Sequence, residues 1–153
     1  MSKQDEAGLI LKLYELRRDP IMRKAREWYF MEFNPQSIED FRNAMFSEHS
    51  AHLRMVVSYW DMAAGLVNTG AISSEMFNET NGEYLGIFAK IEPLLSEIRN
   101  GFGPRFAKNL EKLIDNTPEA RATISAMRER MASVRAQFAA KQEERGRAAS
   151  ATE

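Results

Sequence analysis

The chain has no cysteine, and this absence excludes disulfides, thiolate zinc sites, iron–sulfur clusters and cysteine nucleophiles. It has little net charge, -1 from 21 basic and 22 acidic residues, so no overall field draws it to nucleic acid or an anionic membrane. Long apolar runs are also missing, because the longest weakly charged run, residues 55–72, is interrupted by Asp61. A membrane span needs roughly 20 apolar residues. With a polar start and no signal-peptide core, the sequence predicts a cytoplasmic protein with no membrane span and no nucleic-acid partner.

Every strong hydrophobic period in the sequence is helical, and no segment alternates apolar and polar residues long enough to predict a strand. A length of 153 residues fits one domain. These features predict an all-α, single-domain bundle of five or six helices over residues 1–141. Residues 142–153 contain no large apolar side chain, so we expect them to form a disordered tail.

The longest predicted helix runs from Ser37 to Asn68 and is expected to be the central element of the bundle. Ser37 with Asp40 resembles a capping box, which is typical of a helix start. The apolar arc of this helix covers well over half of its circumference, so it is expected to contact several neighbours. Asp61 falls on the narrow polar strip opposite that arc. Asp19 followed by Pro20 indicates the start of another helix, because proline at the first helical position loses no hydrogen bond.

The last predicted helix has a narrower apolar stripe. Its members are three, four, three and four residues apart, which is the a/d seam of a coiled coil; they are Ile124, Met127, Met131, Val134 and Phe138. Such a seam packs along a single groove. The sequence leaves two interpretations open, packing on the helix's own bundle or on a second copy of the chain as a dimer seam.

Candidate chemistry centres on the two histidines of the chain, His49 and His52. Glu48 and His52 are one turn apart inside the predicted apolar arc, near Tyr59, and a carboxylate beside an imidazole is able to bind a metal or to transfer protons. A di-metal bundle, however, draws its ligands from several helices, and here all the histidine lies on one. We therefore predict no catalytic, metal or cofactor site, and expect the Glu48–His52 pair to be a structural contact.

A wider polar cluster is also predicted between the two longest helices. Glu92 and Arg99 lie toward the apolar side of their helix, and a buried charge must find a partner or neutralise. The predicted cluster comprises Glu48, His52, Tyr59, Glu92 and Arg99. Whether it binds a small molecule or only fixes the register of the helices stays open.

Other motifs give weaker signals. Arg17, Arg18 and the basic residues of 23–26 form a local basic patch, but neighbouring acidic residues offset it, which argues against nucleic-acid binding. Gly101-x-Gly103 lacks the third glycine and the preceding strand of a dinucleotide loop. No phosphate-binding Gly-Lys-Ser/Thr loop and no Gly-x-Ser-x-Gly elbow occurs.

Three segments resemble a family of small bacterial helical proteins known only as a domain of unknown function. They are residues 19–26 (DPIMRKAR), residues 59–72 (YWDMAAGLVNTGAI) and residues 88–99, which end in PLLSEIR. The resemblance covers roughly residues 7–115. It implies a bacterial all-α domain without an assigned activity, so it transfers no catalytic residues, although it draws attention to Asp61 and Arg99.

The sequence thus predicts a non-enzymatic helical interaction module without a cofactor. It is expected to self-associate, with a dimer favoured, or to bind another helical protein. The alternative is a helical bundle that binds a small molecule or a metal in a pocket near Glu48, His52 and Arg99. Catalysis in that pocket is part of this alternative.

Overall fold

The computed structural model describes residues 2–152, and within that range it contains helices and connecting turns but no strand. The α-helices in chain order are α1 (Lys3–Arg17), α2 (Pro20–Met31), α3 (Ile38–Met45), α4 (Ser50–Asn68), α5 (Ser74–Thr80), α6 (Glu83–Ile91), α7 (Leu95–Phe102), α8 (Lys108–Asn116) and α9 (Ala120–Ser150). A 3-10 turn, Glu92–Leu94, joins α6 to α7. None of the described helices is long and apolar enough to cross a membrane. The prediction of an all-α single domain is confirmed.

Several helices begin at the residues that the sequence indicates. The Asp19 carboxylate accepts hydrogen bonds from the backbone N–H groups of Ile21 and Met22, with Pro20 as the first residue of α2. The Ser37 hydroxyl accepts from the N–H of Asp40 at the start of α3. These side chains satisfy N–H groups that have no partner within their own helix, which explains why the helices begin there.

The predicted central helix from Ser37 to Asn68 is wrong in one respect, because the chain breaks between α3 and α4. Ser47 causes the break: its hydroxyl donates to the carbonyl of Ala44 and accepts from the N–H of His49. These local bonds replace the helical ones over this stretch. Together with the 3-10 turn at Pro93 and the short helix α5, the break makes the predicted count of five or six helices too low.

The core forms around α4, which packs against α2 on one side and α8 on another. Its centre is Trp60, which is only 1% exposed. The indole Nε1 donates to Oε2 of Glu83 at the start of α6, 3.0 Å away. The apolar side chains that α4 buries are Leu53, Val56, Val57, Trp60, Ala63, Ala64 and Val67. As the wide apolar arc indicates, α4 is in contact with several helices at once.

Helix α8 covers one part of the polar strip of α4, and Asp61 makes the contact. Its carboxylate accepts from the backbone N–H of Leu110 at 3.0 Å and from the side-chain amide of Asn109 at 3.2 Å. The residue before α8 is Ala107, which has a positive φ of 54° and no side-chain acceptor for the first N–H groups of the helix. Asp61 therefore caps α8 from a different helix.

We expect the substitution Asp61→Ala to lower the free energy of unfolding by about 1–2 kcal/mol, the usual cost of losing an N-cap acceptor. The loss is measured by urea unfolding followed by circular dichroism. Ser58→Ala, on the exposed side of the same helix, is the matched control and should change stability by less than about 0.5 kcal/mol. Equal effects of the two substitutions would contradict the capping role of Asp61.

Helix α9 is in contact with the body only through its N-terminal half. Ala120 and Ile124 are buried, Met127 and Met131 are half-buried, and every described residue from Ala132 onward is exposed. The Cε of Met127 would lie 3.3 Å from a Cβ at Gly86, so the glycine lets α9 approach α6 closely. The sequence predicted a disordered tail from residue 142, whereas the structure continues α9 through Ser150. Alanine-rich sequence with good helix formers accounts for this extension.

Candidate functional site

The predicted Glu48–His52 contact does not form. Glu48 lies in the break between α3 and α4, where its side chain is 87% exposed, and its carboxylate is 3.6 Å from Nε2 of the adjacent His49. His52 is half-buried on α4 and faces the ring of Trp28. The prediction that Glu48 lies beside His52 assumed one continuous helix. The break at Ser47 makes that assumption wrong.

The other three residues of the predicted polar cluster also have separate partners. Arg99 pairs with Glu111 of α8 at 3.0 Å and donates to the carbonyl of Phe106. Glu92 binds two arginines of α9, Arg121 and Arg128. The structure therefore replaces one cluster with three ion pairs, one between α7 and α8 and two between Glu92 and α9.

Tyr59, the fifth member, contacts α1. Its hydroxyl donates to the backbone carbonyl of Leu13. Burial raises the pKa of Tyr59, so the hydroxyl stays protonated and keeps its role as a donor at neutral pH. Tyr59 thus joins α4 to α1, away from both histidines and from Arg99.

The histidines form an aromatic group with Trp28. The imidazole of His49 stacks on the Trp28 ring with centroids 5.0 Å apart and an interplanar angle of 17°, and the two imidazole centroids are 5.7 Å apart. Within residues 2–152 no group of three or more histidine, cysteine, aspartate or glutamate residues is arranged to hold a metal ion. The contacts made by these rings are packing contacts, which contribute about 0.5–1.5 kcal/mol per aromatic pair beyond burial.

Lys90 is a buried charge that the sequence-based prediction missed. Its ammonium lies against the C-terminal end of α2 and donates to the carbonyls of Tyr29 and Phe33, each at 2.7 Å, and of Phe30 at 3.1 Å. Burial and the nearby charge of Arg135 lower the pKa of Lys90 to about 8, so the ammonium still predominates at pH 7. The signal in the sequence was a lysine near the end of the otherwise apolar run of residues 84–91.

The hydrogen bonds of Lys90 determine what it is able to do. An ammonium has three N–H groups, and each has a backbone acceptor at the end of α2 within 3.1 Å. A cavity of about 120 Å³ opens beside it, lined also by Arg128 and Arg135. Because its donors are engaged with these carbonyls, Lys90 acts as a C-terminal cap of α2.

The seam predicted on the last helix divides into two halves. Ile124 is buried against the body, and Met127 and Met131 partly so, whereas Val134 and Phe138 are 63% and 64% exposed. The first half therefore packs within the chain, one of the two interpretations that the sequence left open. The second half has no apolar contact in the described part of the chain.

Comparison with known proteins gives one match. A family model described as a domain of unknown function, DUF4760, matches residues 5–117. The match covers α1 to α8 and ends before α9 begins at Ala120. No curated protein and no solved structure matches the chain. The resemblance to an uncharacterised helical family is confirmed.

Proposed function

Because the chain belongs to this family of unknown function, we propose a function from its own surfaces, a non-enzymatic helical interaction module that self-associates through the C-terminal half of α9. The supporting observation is the exposure of Val134 and Phe138, which continue the apolar stripe that is buried at Ile124. The occupant of this exposed stripe is a second copy of the same stripe.

The exposed part of α9 has the dimensions of a short coiled coil. It runs from Ala132 to Ser150, and a register that places Val134 opposite Phe138 lets the exposed residues 132–140 of the two copies overlap over about 13 Å at 1.5 Å per residue. In an antiparallel pair, Val134 of each copy lies opposite Phe138 of the other, giving two apolar layers related by a two-fold axis. Such a small interface is typical of weak, reversible association.

The charges that flank the stripe favour the antiparallel orientation. In that register Arg130 of one copy lies beside Glu144 of the other, twice by symmetry, whereas a parallel pair places Arg130 beside Arg135. On the other flank of the antiparallel pair the two Arg135 side chains face each other, which opposes association. Two attractive pairs against one repulsive pair predict an antiparallel dimer that is weak and sensitive to salt.

The test is sedimentation equilibrium of the full chain over a concentration series into the high micromolar range. We expect a monomer–dimer equilibrium for the wild type and a monomer for Val134→Glu/Phe138→Glu, because two carboxylates cannot be buried in an apolar seam. The matched control, Ala136→Glu/Ala140→Glu, adds the same charge to the opposite face of α9 and should dimerise. A wild type that stays monomeric throughout would refute the proposal.

Cross-linking determines the orientation, and the absence of native cysteine makes single-cysteine variants unambiguous. In the antiparallel register Gln137 lies beside its own copy, so Gln137→Cys should form a disulfide-linked dimer on mild oxidation. Arg130→Cys should not, because that position faces residue 144. Cross-linking at both positions, or at neither, would contradict this register.

The contacts do not favour the alternative of a ligand-binding or catalytic pocket near Glu48, His52 and Arg99. Glu48 is exposed, and Arg99 is paired with Glu111. Cytoplasmic location and bacterial origin stay predictions from the sequence.

A further inference from the structure

Four arginines converge where α1 ends and α2 begins. A cavity of about 350 Å³ at this corner is lined by Tyr14, Arg17, Arg18, Arg23 and Arg26. No carboxylate lines it. We propose that this cavity, called here the arginine pocket, binds the phosphate group of a phosphate monoester. The proposal is independent of self-association through α9, because the pocket lies on α1 and α2.

Two of the arginines are held in place by the core. Arg26 pairs with Glu83 through Nη2 at 2.7 Å and Nε at 3.0 Å, and the same carboxylate accepts from the indole of Trp60. Arg17 lies over two rings, with its Cζ 5.1 Å from the centroid of Tyr14 and 5.5 Å from that of Trp60. Such contacts fix a guanidinium before a ligand arrives, which reduces the entropy cost of binding.

The other two arginines are free to bind a ligand. Arg18 and Arg23 are exposed, and among the described residues neither has a carboxylate partner or a side-chain hydrogen bond. Arg18 lies over the ring of Tyr14, with its Cζ 5.8 Å from the centroid. A guanidinium presents parallel N–H groups that match two oxygens of a phosphate, so these side chains supply the direct contacts.

Arg23 lies where it does not stabilise α2, and this position favours a role for its side chain in ligand binding. It lies one turn into α2, near the positive end of the helix dipole, where a cation is unfavourable and where α2 has no acidic residue in its first turn. The carboxylate of Asp19, four residues before Arg23, is occupied in capping α2. Glu83 is paired with Arg26, so the guanidinium groups of Arg18 and Arg23 have no carboxylate bonded to them in the described part of the chain and offer positive charge to a phosphate monoester dianion.

Tyr14 adds a preference for an aromatic or other flat group next to the phosphate. Its ring is half exposed at the edge of the cavity. The cavity is at the lower end of the range for small-molecule sites, about 300–1,000 Å³. A phosphate carrying one ring therefore fits. Because Arg17 and Arg18 lie over the Tyr14 ring, the ring of such a ligand contacts the exposed edge of the tyrosine, which strengthens binding.

The test is titration of the full chain with inorganic phosphate and with phenyl phosphate, followed by NMR. We expect saturable binding of both, tighter for phenyl phosphate, and an affinity at least about tenfold weaker in Arg18→Gln/Arg23→Gln, since each charge-assisted bond is stronger than a neutral one. The matched control, Arg54→Gln/Arg105→Gln, removes the same charge elsewhere and should bind within about twofold of the wild type. No saturable binding, or equal losses in both variants, would overturn the proposal.

Two further measurements specify the ligand. Tyr14→Leu should remove the preference for phenyl phosphate over inorganic phosphate, and an unchanged preference would overturn the role of Tyr14. Vesicles of phosphatidylcholine with phosphatidic acid, which carries a phosphate monoester headgroup, distinguish a lipid from a soluble source. Vesicle binding that is lost in Arg18→Gln/Arg23→Gln would identify a lipid headgroup as the source of the phosphate, and no vesicle binding would identify a soluble phosphate monoester. If phenyl phosphate binding does not depend on Arg18 and Arg23, neither vesicle result supports the phosphate site.

Discussion

Replacing Lys90 with methionine is expected to lower the free energy of unfolding by about 3 kcal/mol, because the carbonyls of Tyr29, Phe30 and Phe33 lose their donor. Each buried polar group left without a partner costs about 1–3 kcal/mol, and methionine fills the same space without an N–H group. The end of α2 would then have to unwind or admit water. Urea unfolding followed by circular dichroism measures the loss.

Lys112→Met is the matched control for Lys90, because Lys112 is exposed on α8 and the substitution is chemically identical. It should change stability by less than about 0.5 kcal/mol. A Lys90→Met variant as stable as the wild type would mean that desolvation of the ammonium costs as much as its three hydrogen bonds contribute. That result would contradict the capping role assigned to Lys90.

Trp60→Ala is expected to be the most damaging substitution in the core, with a loss of about 4 kcal/mol or more. The side chain is 1% exposed, so its removal leaves a cavity where α4 contacts its neighbours. It also removes the indole donor to Glu83 and one of the two rings beneath Arg17. Thermal and urea unfolding, monitored by far-ultraviolet circular dichroism, measure the effect.

Trp60→Phe separates packing from hydrogen bonding, because it keeps an aromatic ring and removes the indole N–H. We expect a smaller loss of about 1–2 kcal/mol, with Glu83 still paired to Arg26. Met62→Ala, on the exposed side of the same helix, controls for changes in helix propensity and should cost less than about 0.5 kcal/mol. Equal losses for Phe and Ala at position 60 would show that the hydrogen bond, not the volume, dominates.

Local chemistry made part of this fold predictable. Asp19 and Ser37 cap helices through contacts within three residues, and such contacts are visible in a sequence. The apolar arc of α4 likewise predicted that Trp60 and Val56 are buried. The break before α4 was missed because serine also occurs on the surfaces of continuous helices. The hydrogen bond from the Ser47 hydroxyl to the adjacent backbone is visible only in the structure.

The candidate sites were harder to predict, because their partners come from distant parts of the chain. Arg99 was assigned to Glu92 and Glu48, yet its partner Glu111 is on a helix whose position no local pattern determines. Lys90 depends on the end of α2, about 60 residues earlier in the chain. The basic patch was visible in the sequence, but the cavity that its arginines form with Tyr14 depends on how α1 meets α2.

The cap that Asp61 provides for α8 has a consequence for the order of folding. Because Ala107 offers no acceptor of its own, the first turn of α8 gains its hydrogen bond only after α4 has reached it, 49 residues away in sequence for Leu110. Nucleation is the costly step in making a short helix. We therefore expect the nine residues of α8 to become helical as they dock on α4, in a late, template-dependent step of assembly.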